Sequence, residues 1–485
     1  MKLPLVFLLL ILPMAGVRAD SLEEISRLVG EGHWRQARTE IAQALASTNL
    51  TAQARQDLLF QSDRMKRIRL DFDKTREQVL QAVRAVAPSI TDAQFADWEK
   101  SRAVESMDID GTRWYFHRAA DNLFLINPEA RALKAREHPD SASRALPYRL
   151  EHVQKVVSTY DKTGRQLNTP KTWRVTYTLI VKPGEVPPGE TIRAWLPYPH
   201  AGNRQTGIRL ISSDPPRHIL STANDAIASV YLEKPALSGE PTPFKIVFEY
   251  TSAAFFQPID PAQVTPVPTN DPALVPFLGE QPTHIVFSDE IKKLSGAIVG
   301  TETNPYLKAR RIFQWVVQHV PWASAREYST LDSLPHYALS QCHGDCGIET
   351  MTFMTLCRFN GIPARWESGW ITGEEKDMHD WCEIYLAPYG WMPADVYYGM
   401  VQSDQDHEEW FYLGGIDNAR FVVNTDYAQP LYPAKMFARS EIVDFQRGEV
   451  EWRGGNLYFN QWNWHFNVEE IPPNRSAVAK QSPTE

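Results

Sequence analysis

The sequence predicts a multidomain α+β protein: an N-terminal helical region, an antiparallel β-sandwich, an α+β core and a β-rich C-terminal extension. Three observations carry this. Up to about residue 135 apolar residues recur at helical spacing, as in Leu22, Ile25, Leu28 and Val29, then Ala37, Ile41 and Leu45. From about residue 148 the period becomes two, as in Trp173, Val175, Tyr177, Leu179 and Val181. Beyond residue 285 a helix apolar nearly all round is followed by a tight hairpin. At 485 residues the chain exceeds one ordinary core and suits roughly two to four domains.

Within 20–147, Gly30, Gly32 and Trp34 punctuate a helical pair, and Thr91 reads as the cap of a helix over 93–100. Ile109-Asp110-Gly111-Thr112 reads as the turn of a hairpin between 104–108 and 113–116. The polar stretch 136–147 reads as a linker. The sandwich is expected over 148–255, with further strands at 192–196, 208–211, 227–232 and 246–250 between Pro, Gly, Asn and Asp turns. Residues 256–284 form a proline-rich linker, or an arm laid across the neighbouring domain and over Cys346; seven prolines fall between Phe255 and His284. Helical spacing returns in 285–400, through Ile291, Leu294 and Ile298 and then over 307–320. The extension 401–471 reads as β-rich and ends in an aromatic hairpin over 450–468 around Gly454-Gly455. Residues 472–485 read as a disordered tail.

Residues 1–19 read as a Sec-type signal peptide. Lys2 supplies the charge, Leu3 to Val17 the apolar run, and Val17-Arg18-Ala19 the cleavage site. The run is shorter than the roughly 20 residues of a membrane span, and no later stretch is as apolar. An exported protein, periplasmic or secreted, with no transmembrane segment after cleavage is therefore expected. The formal charge is −9 and becomes more negative once Lys2 and Arg18 are removed. Such a protein is a poor candidate for nucleic-acid binding, which leans on basic surface. The four cysteines, Cys342, Cys346, Cys357 and Cys382, are confined to one short region, where a disulfide-stapled fold would spread them. With Cys346 free, at most one internal disulfide remains. Cys342 and Cys346 have no second paired cluster, so neither a metal nor a cofactor is expected.

The chemistry centres on Gly344-Asp345-Cys346-Gly347. The apolar stretch from Ile348 to Phe359 reads as a buried helix, ended by Gly361 and Pro363. Cys346 then sits in its first turn, where unpaired N–H groups and the helix dipole favour a thiolate and can hold an oxyanion. Gly347 is read as keeping the space beside the sulfur open for substrate. Cys357, mid-helix among apolar residues, reads as core. His379 begins a strand with Trp381, Glu383 and Tyr385 on one face and Asp380, Cys382 and Ile384 on the other. Asp395 closes the next strand and would fix the histidine tautomer. A regular four-residue loop pairing 386 with 391 would set Asp395 opposite Cys382, on the wrong face. A one-residue irregularity, a bulge at Gly390, is therefore expected. Gln341 and the Trp322 indole are candidates for a second oxyanion donor.

Gly-Asp-Cys346, Arg358, Gly361-Ile-Pro-Ala-Arg365, Gly369, His379-x-Trp381-x-Glu383 and Gly390-Trp391-x-Pro-x-Asp395 together resemble the core of the transglutaminase-like superfamily, over about 285–400. The segment 306–322 is similar to that family's opening helix. Residues 173–250 look like the sandwich found ahead of such cores in bacterial proteins. The resemblance implies a papain-like fold with Cys346, His379 and Asp395 as catalytic triad. No acidic cluster of the calcium-site type is present, so the calcium dependence of animal transglutaminases does not carry over.

The expected function is an exported, cysteine-dependent amide hydrolase or acyl transferase acting through a Cys346 thioester on a peptide or protein substrate, possibly cell-wall associated. The alternative is a non-catalytic binding or scaffold protein of the cell envelope that retains the fold.

Overall fold

The computed structural model describes residues 19–138, 147–202 and 204–472. The expected signal peptide apart from Ala19, most of the 136–147 linker and the tail from 473 lie outside the described residues. Among the described residues no helix is long and apolar enough to cross a membrane.

The N-terminal region packs Ala19–Gly30, Trp34–Leu45 and Ala52–Asp71 around Ile25, Leu28, Trp34, Ile41, Leu58 and Ile68. Capping boxes start the next two helices. Thr75 and Thr91 each accept from the backbone N–H three residues on, and the glutamine there returns a bond to the threonine N–H. The hairpin follows as Ser106–Ile109 and Thr112–Tyr115, with Asp110 and Gly111 both at positive φ. That pair of left-handed residues is what a two-residue turn between twisted strands demands.

The sandwich begins later than the alternation suggested. Pro147–Thr163 is a helix whose Val153, Val156 and Val157 join the core of the 285–400 region, and the first strand is Leu167–Val181. In one sheet that strand lies between Thr242–Phe256 and Trp462–Ile471, with Gln205–Asp214 and Gly415–Ile416 also on Thr242–Phe256. The other sheet runs Gly455–Leu457, Glu449–Trp452, Thr191–Pro197, Ser229–Pro235, His218–Leu220. All pairs are antiparallel.

The 401–471 extension is not a unit of its own, because its strands complete sheets begun earlier in the chain. The hairpin expected over 450–468 is divided: Glu449–Trp452 turns back through Gly455–Leu457, while Trp462–Ile471 crosses to the other sheet. The alternation was right for strands but could not say to which sheet each belongs. The sandwich core also takes in Trp370, Phe421 and Val423 from the sheet of the 285–400 region, fusing the two regions.

The proline-rich arm does lie across the 285–400 region, at the far end of its hairpin. Thr265 bridges to Ala387, the Asp260 N–H donates to Tyr389 Oη at 2.9 Å, and Phe277 meets Trp391 edge-on. None of it lines the cavity beside Cys346 among the described residues. The arm therefore does not cover the sulfur.

The helical region grips two segments that wall that cavity. Arg64 Nη2 donates to Thr330 O at 2.9 Å and Nη1 pairs with Asp332 at 2.7 Å. Asn122 exchanges hydrogen bonds with Ser324, and Arg67 Nη1 donates to the carbonyls of Arg439 and Ser440. Asp71, buried, accepts from Thr330 Oγ1 at 3.1 Å. Burial, and then the Glu327 charge, push its carboxyl up to about 8. A carboxyl raised on folding stabilises the fold fully below its unfolded value near 4 and loses that contribution as pH rises through the folded value. The melting temperature should therefore fall between pH 5 and 9, and Asp71→Asn should flatten part of that fall. An equally steep fall in the variant would show that Asp71 does not titrate there.

Candidate functional site: a cysteine at a helix start facing a buried histidine–aspartate pair

The helix Cys346–Phe359 starts as expected. Asp345 caps it, accepting from the Ile348 N–H at 3.1 Å, and Gly361 at positive φ lets the chain leave. Residues 347 to 358 are all buried, so the all-round apolar pattern reflects a central helix. Cys346 lies in its first turn.

The helix packs against a four-stranded antiparallel sheet in the order Gly390–Ala394, Asp377–Leu386, Ala364–Ile371, Arg420–Asn424. In the hairpin Leu386 pairs with Gly390 and Cys382 with Ala394, so the loop has three residues, not four. Gly390, at φ 90°, absorbs the change. The bulge expected at Gly390 does not form: the ladder is regular throughout, and the shorter loop makes the one-residue correction instead. Its register puts Asp395 level with Trp381, on the face that also carries His379. Gly369 has a separate reason: a β-carbon there would collide with the Phe421 carbonyl, so only glycine lets the last strand close up.

The structure brings His379 and Asp395 together: His379 Nε2 lies 2.8 Å from Asp395 Oδ2, and both side chains are buried. Arg420 Nη1 pairs with the same oxygen at 2.8 Å, while Nη2 donates to Asp417 at 2.7 Å. Burial alone would raise the Asp395 carboxyl, but His379 and Arg420 hold it below the usual range. Against the same opposing burial, Arg420 and His152 hold Asp417 at about 2. The His379 ring is braced by Tyr397, Tyr398 and Trp381 at centroid distances of 5.2, 5.5 and 5.7 Å.

The surroundings of the sulfur differ from expectation. Cys346 Sγ lies 3.4 Å from Asp380 Oδ2. Burial pushes the thiol well up, and the Asp380 and Asp345 carboxyls push it further. The helix terminus is in place, but the nearest charges oppose a standing thiolate. Gly347 is also explained otherwise. A β-carbon there would strike the Tyr328 hydroxyl and crowd Asp380 Oδ2, so that space belongs to the protein and not to substrate. All four cysteines are free, and no disulfide joins Cys342, Cys357 or Cys382.

Cys346 and His379 line one cavity of about 640 Å³, with Trp322 and Tyr397, Arg326 to Tyr328, Glu375 to Met378 and the 441–447 segment. Trp322, one of the two candidate oxyanion donors, is at the wall; Gln341 is not among the lining residues. The sequence reading missed Asp380, Tyr328, Gln446 and Arg420. Gln446 Nε2 donates to Asp380 Oδ1 at 2.7 Å and to the His379 carbonyl at 3.0 Å. Asp380 carried a readable signal: an aspartate facing the buried helix alongside Cys382 and Ile384. No local pattern distinguished the others. Among the described residues no group of acids, histidines and cysteines is arranged to hold a metal.

Replacing Arg420 with Met should leave Asp395 and Asp417 buried without a counter-charge. A loss of about 3–5 kcal/mol is expected in denaturant unfolding at pH 7. The loss should shrink as pH falls, since protonation relieves both acids. A pH-independent loss would mean that the guanidinium acts by packing alone.

Residues 292–396 match the model of the transglutaminase-like superfamily. An uncharacterized protein of Haemophilus influenzae is 29% identical over 140 residues, which are 23% of this chain and 37% of that protein. The chain thus spans little more than a third of that relative's length. Among solved structures, a proposed cysteine protease from Cytophaga hutchinsonii aligns at 17% identity and a TM-score of 0.42, over 64% of this chain and 93% of that one. The periplasmic domain of TgpA from Pseudomonas aeruginosa aligns at 14% identity and a TM-score of 0.26, over 47% and 88%. On the family match, residues 292–396 are a core of the transglutaminase-like superfamily.

Proposed function

We propose that this protein is an exported, cysteine-dependent acyl transferase or amide hydrolase acting on a peptide or protein of the cell envelope. The observation that carries this reading is that Cys346, at a helix start, and His379, held from behind by buried Asp395, line one cavity. Cys346 Sγ attacks an amide carbonyl while His379 takes the thiol proton. Because the acids around the sulfur oppose a resting thiolate, proton removal accompanies attack and does not precede it. Asp395 holds the imidazole and balances its positive charge, with Arg420 keeping the carboxylate ionised. The tetrahedral intermediate collapses to a Cys346 thioester as His379 returns the proton to the departing amine. Water or a second amine then attacks the thioester, giving hydrolysis or transamidation. Hydrolysis is the simpler outcome, since the cavity is open to solvent.

The acids crowding the sulfur are the observation that favours the rival, an envelope-binding protein that keeps the fold without turnover. Acylation separates the two. With p-nitrophenyl acetate, an acyl adduct should appear on Cys346 by mass spectrometry and be absent in Cys346→Ala. His379→Ala should slow its formation by about 10²- to 10⁴-fold. A wild-type chain that no acyl donor modifies at Cys346 would leave the binding reading standing, and turnover that survives Cys346→Ala would remove Cys346 as the nucleophile.

A further inference from the structure

Asp380 is the polar group nearest the nucleophile, and its hydrogen bonds locate a proton. It is 2% exposed and sits on the face of the Asp377–Leu386 strand that meets the cysteine helix. Oδ1 accepts from Gln446 Nε2 at 2.7 Å. Oδ2 lies 3.4 Å from Cys346 Sγ and 3.3 Å from Tyr328 Oη. The tyrosine hydroxyl has one proton, and its 2.7 Å bond to Asp345 Oδ1 uses it. Asp345 cannot return one, because the same oxygen already accepts from the Ile348 N–H. The tyrosine therefore turns a lone pair toward Asp380 Oδ2. Two oxygens that close, away from water, need a proton between them, and Asp380 is its available carrier.

The charges around Asp380 agree. Asp345 and Glu349 face this region from the cysteine helix, and Tyr328 lies across the site. Glu441, Asp444 and Arg447 come from the C-terminal segment, and His379 adjoins on its own strand. The cations lining the cavity are engaged elsewhere: Arg447 by Glu327 at 2.9 Å, Arg326 by the Thr330 carbonyl, Lys376 by the Val468 carbonyl and Arg118 by Asp121. Burial, followed by the Asp345 charge, raises the Asp380 carboxyl well above its ordinary value.

We infer that Asp380 acts in the reaction as a neutral carboxylic acid, donating a hydrogen bond from Oδ2 to the oxyanion formed on Cys346. This deepens the acyl-transfer reading and rests on it. As the sulfur–carbon bond forms, the carbonyl π pair moves to oxygen and His379 takes the thiol proton. The new oxyanion is two bonds from the sulfur, which itself lies beside Oδ2–H and the N–H groups of the helix start. When the oxyanion collapses, the leaving group departs with the proton from His379, and Asp380 keeps its own throughout. A donor fixed in advance at the position where charge develops stabilises the transition state more than the ground state. It also supplies the second oxyanion donor for which the sequence offered only Trp322 and Gln341.

Two reactions of the same thiol test this. Acylation by p-nitrophenyl acetate passes through an oxyanion, whereas alkylation by iodoacetamide does not. Asp380→Ala should slow acylation of Cys346 by about 100-fold and leave alkylation within about threefold. Asp380→Asn keeps an N–H donor at that position and should recover acylation to within about tenfold of wild type. The ratio of wild-type to Asp380→Asn acylation rates should fall as pH rises, because only the aspartate can ionise and lose its donor. Parallel loss of acylation and alkylation in Asp380→Ala would mean that Asp380 positions the thiol, and would overturn the inference. So would an Asn variant no better than Ala, faster acylation in Asp380→Ala, or a rate ratio independent of pH. A wild-type chain that is alkylated but never acylated at Cys346 removes the acyl-transfer reading itself, and this inference with it.

Discussion

The Arg420 guanidinium lies between Asp395 and Asp417, and burial of all three depends on it. A buried carboxylate costs several kcal/mol unless an opposite charge or hydrogen bonds compensate. Here one planar cation serves two acids at once, which a lysine would do less well. Asp395 stays ionised beside His379 as a result, and the histidine is held in one orientation. Arg420 reaches this position because its strand lies along Ala364–Ile371, an approach permitted only by the missing side chain at Gly369. The orientation of His379 therefore rests on a close backbone contact made by Gly369, its partner on the adjacent strand.

The cavity is assembled from distant parts of the chain. The cysteine helix and histidine strand supply the reactive groups, and the 322–328 segment supplies Trp322 and Tyr328. The stretch between Arg420–Asn424 and Glu449–Trp452 supplies Glu441, Asp444 and Gln446. Helical-region contacts from Arg64, Asp71 and Asn122 hold the 322–332 segment, while Arg67 holds 439–440. The N-terminal region thus positions the cavity walls from outside. The environment this produces is acidic, which together with the burial of the sulfur explains why the thiol is held in its protonated form despite the helix start beneath it.

Local order was legible in the sequence where local physics fixes it. The cysteine helix and its glycine exit, the Asp110-Gly111 turn and the threonine caps each follow from one residue type in one place. The hairpin register was legible as a constraint: a regular four-residue loop would misplace Asp395, and Gly390 was the residue able to correct it. Long-range pairing was not legible. Nothing around Arg420 announces that its side chain will meet Asp395. The strand at 462–471 reads the same whichever sheet it joins. Alternation at 173–181 also drew the sandwich boundary toward residue 148, although Leu150, Val153, Val156 and Val157 have helical spacing. The acid beside the sulfur was missed for a related reason. A helix terminus is a local feature, whereas Asp380 meets Cys346 across 34 residues.

The division of the last strands between two sheets bears on how the molecule is made. Synthesis proceeds from the N-terminus, so Cys346, His379 and Asp395 all emerge before residues 441 to 447 and before Trp462–Ile471. A nascent chain carrying the reactive trio still lacks one wall of its cavity. The sandwich that shares a core with Trp370 and Phe421 is also open along one edge until Trp462–Ile471 docks on Leu167–Val181. The order of translation therefore withholds a finished site until nearly the whole described chain has been delivered.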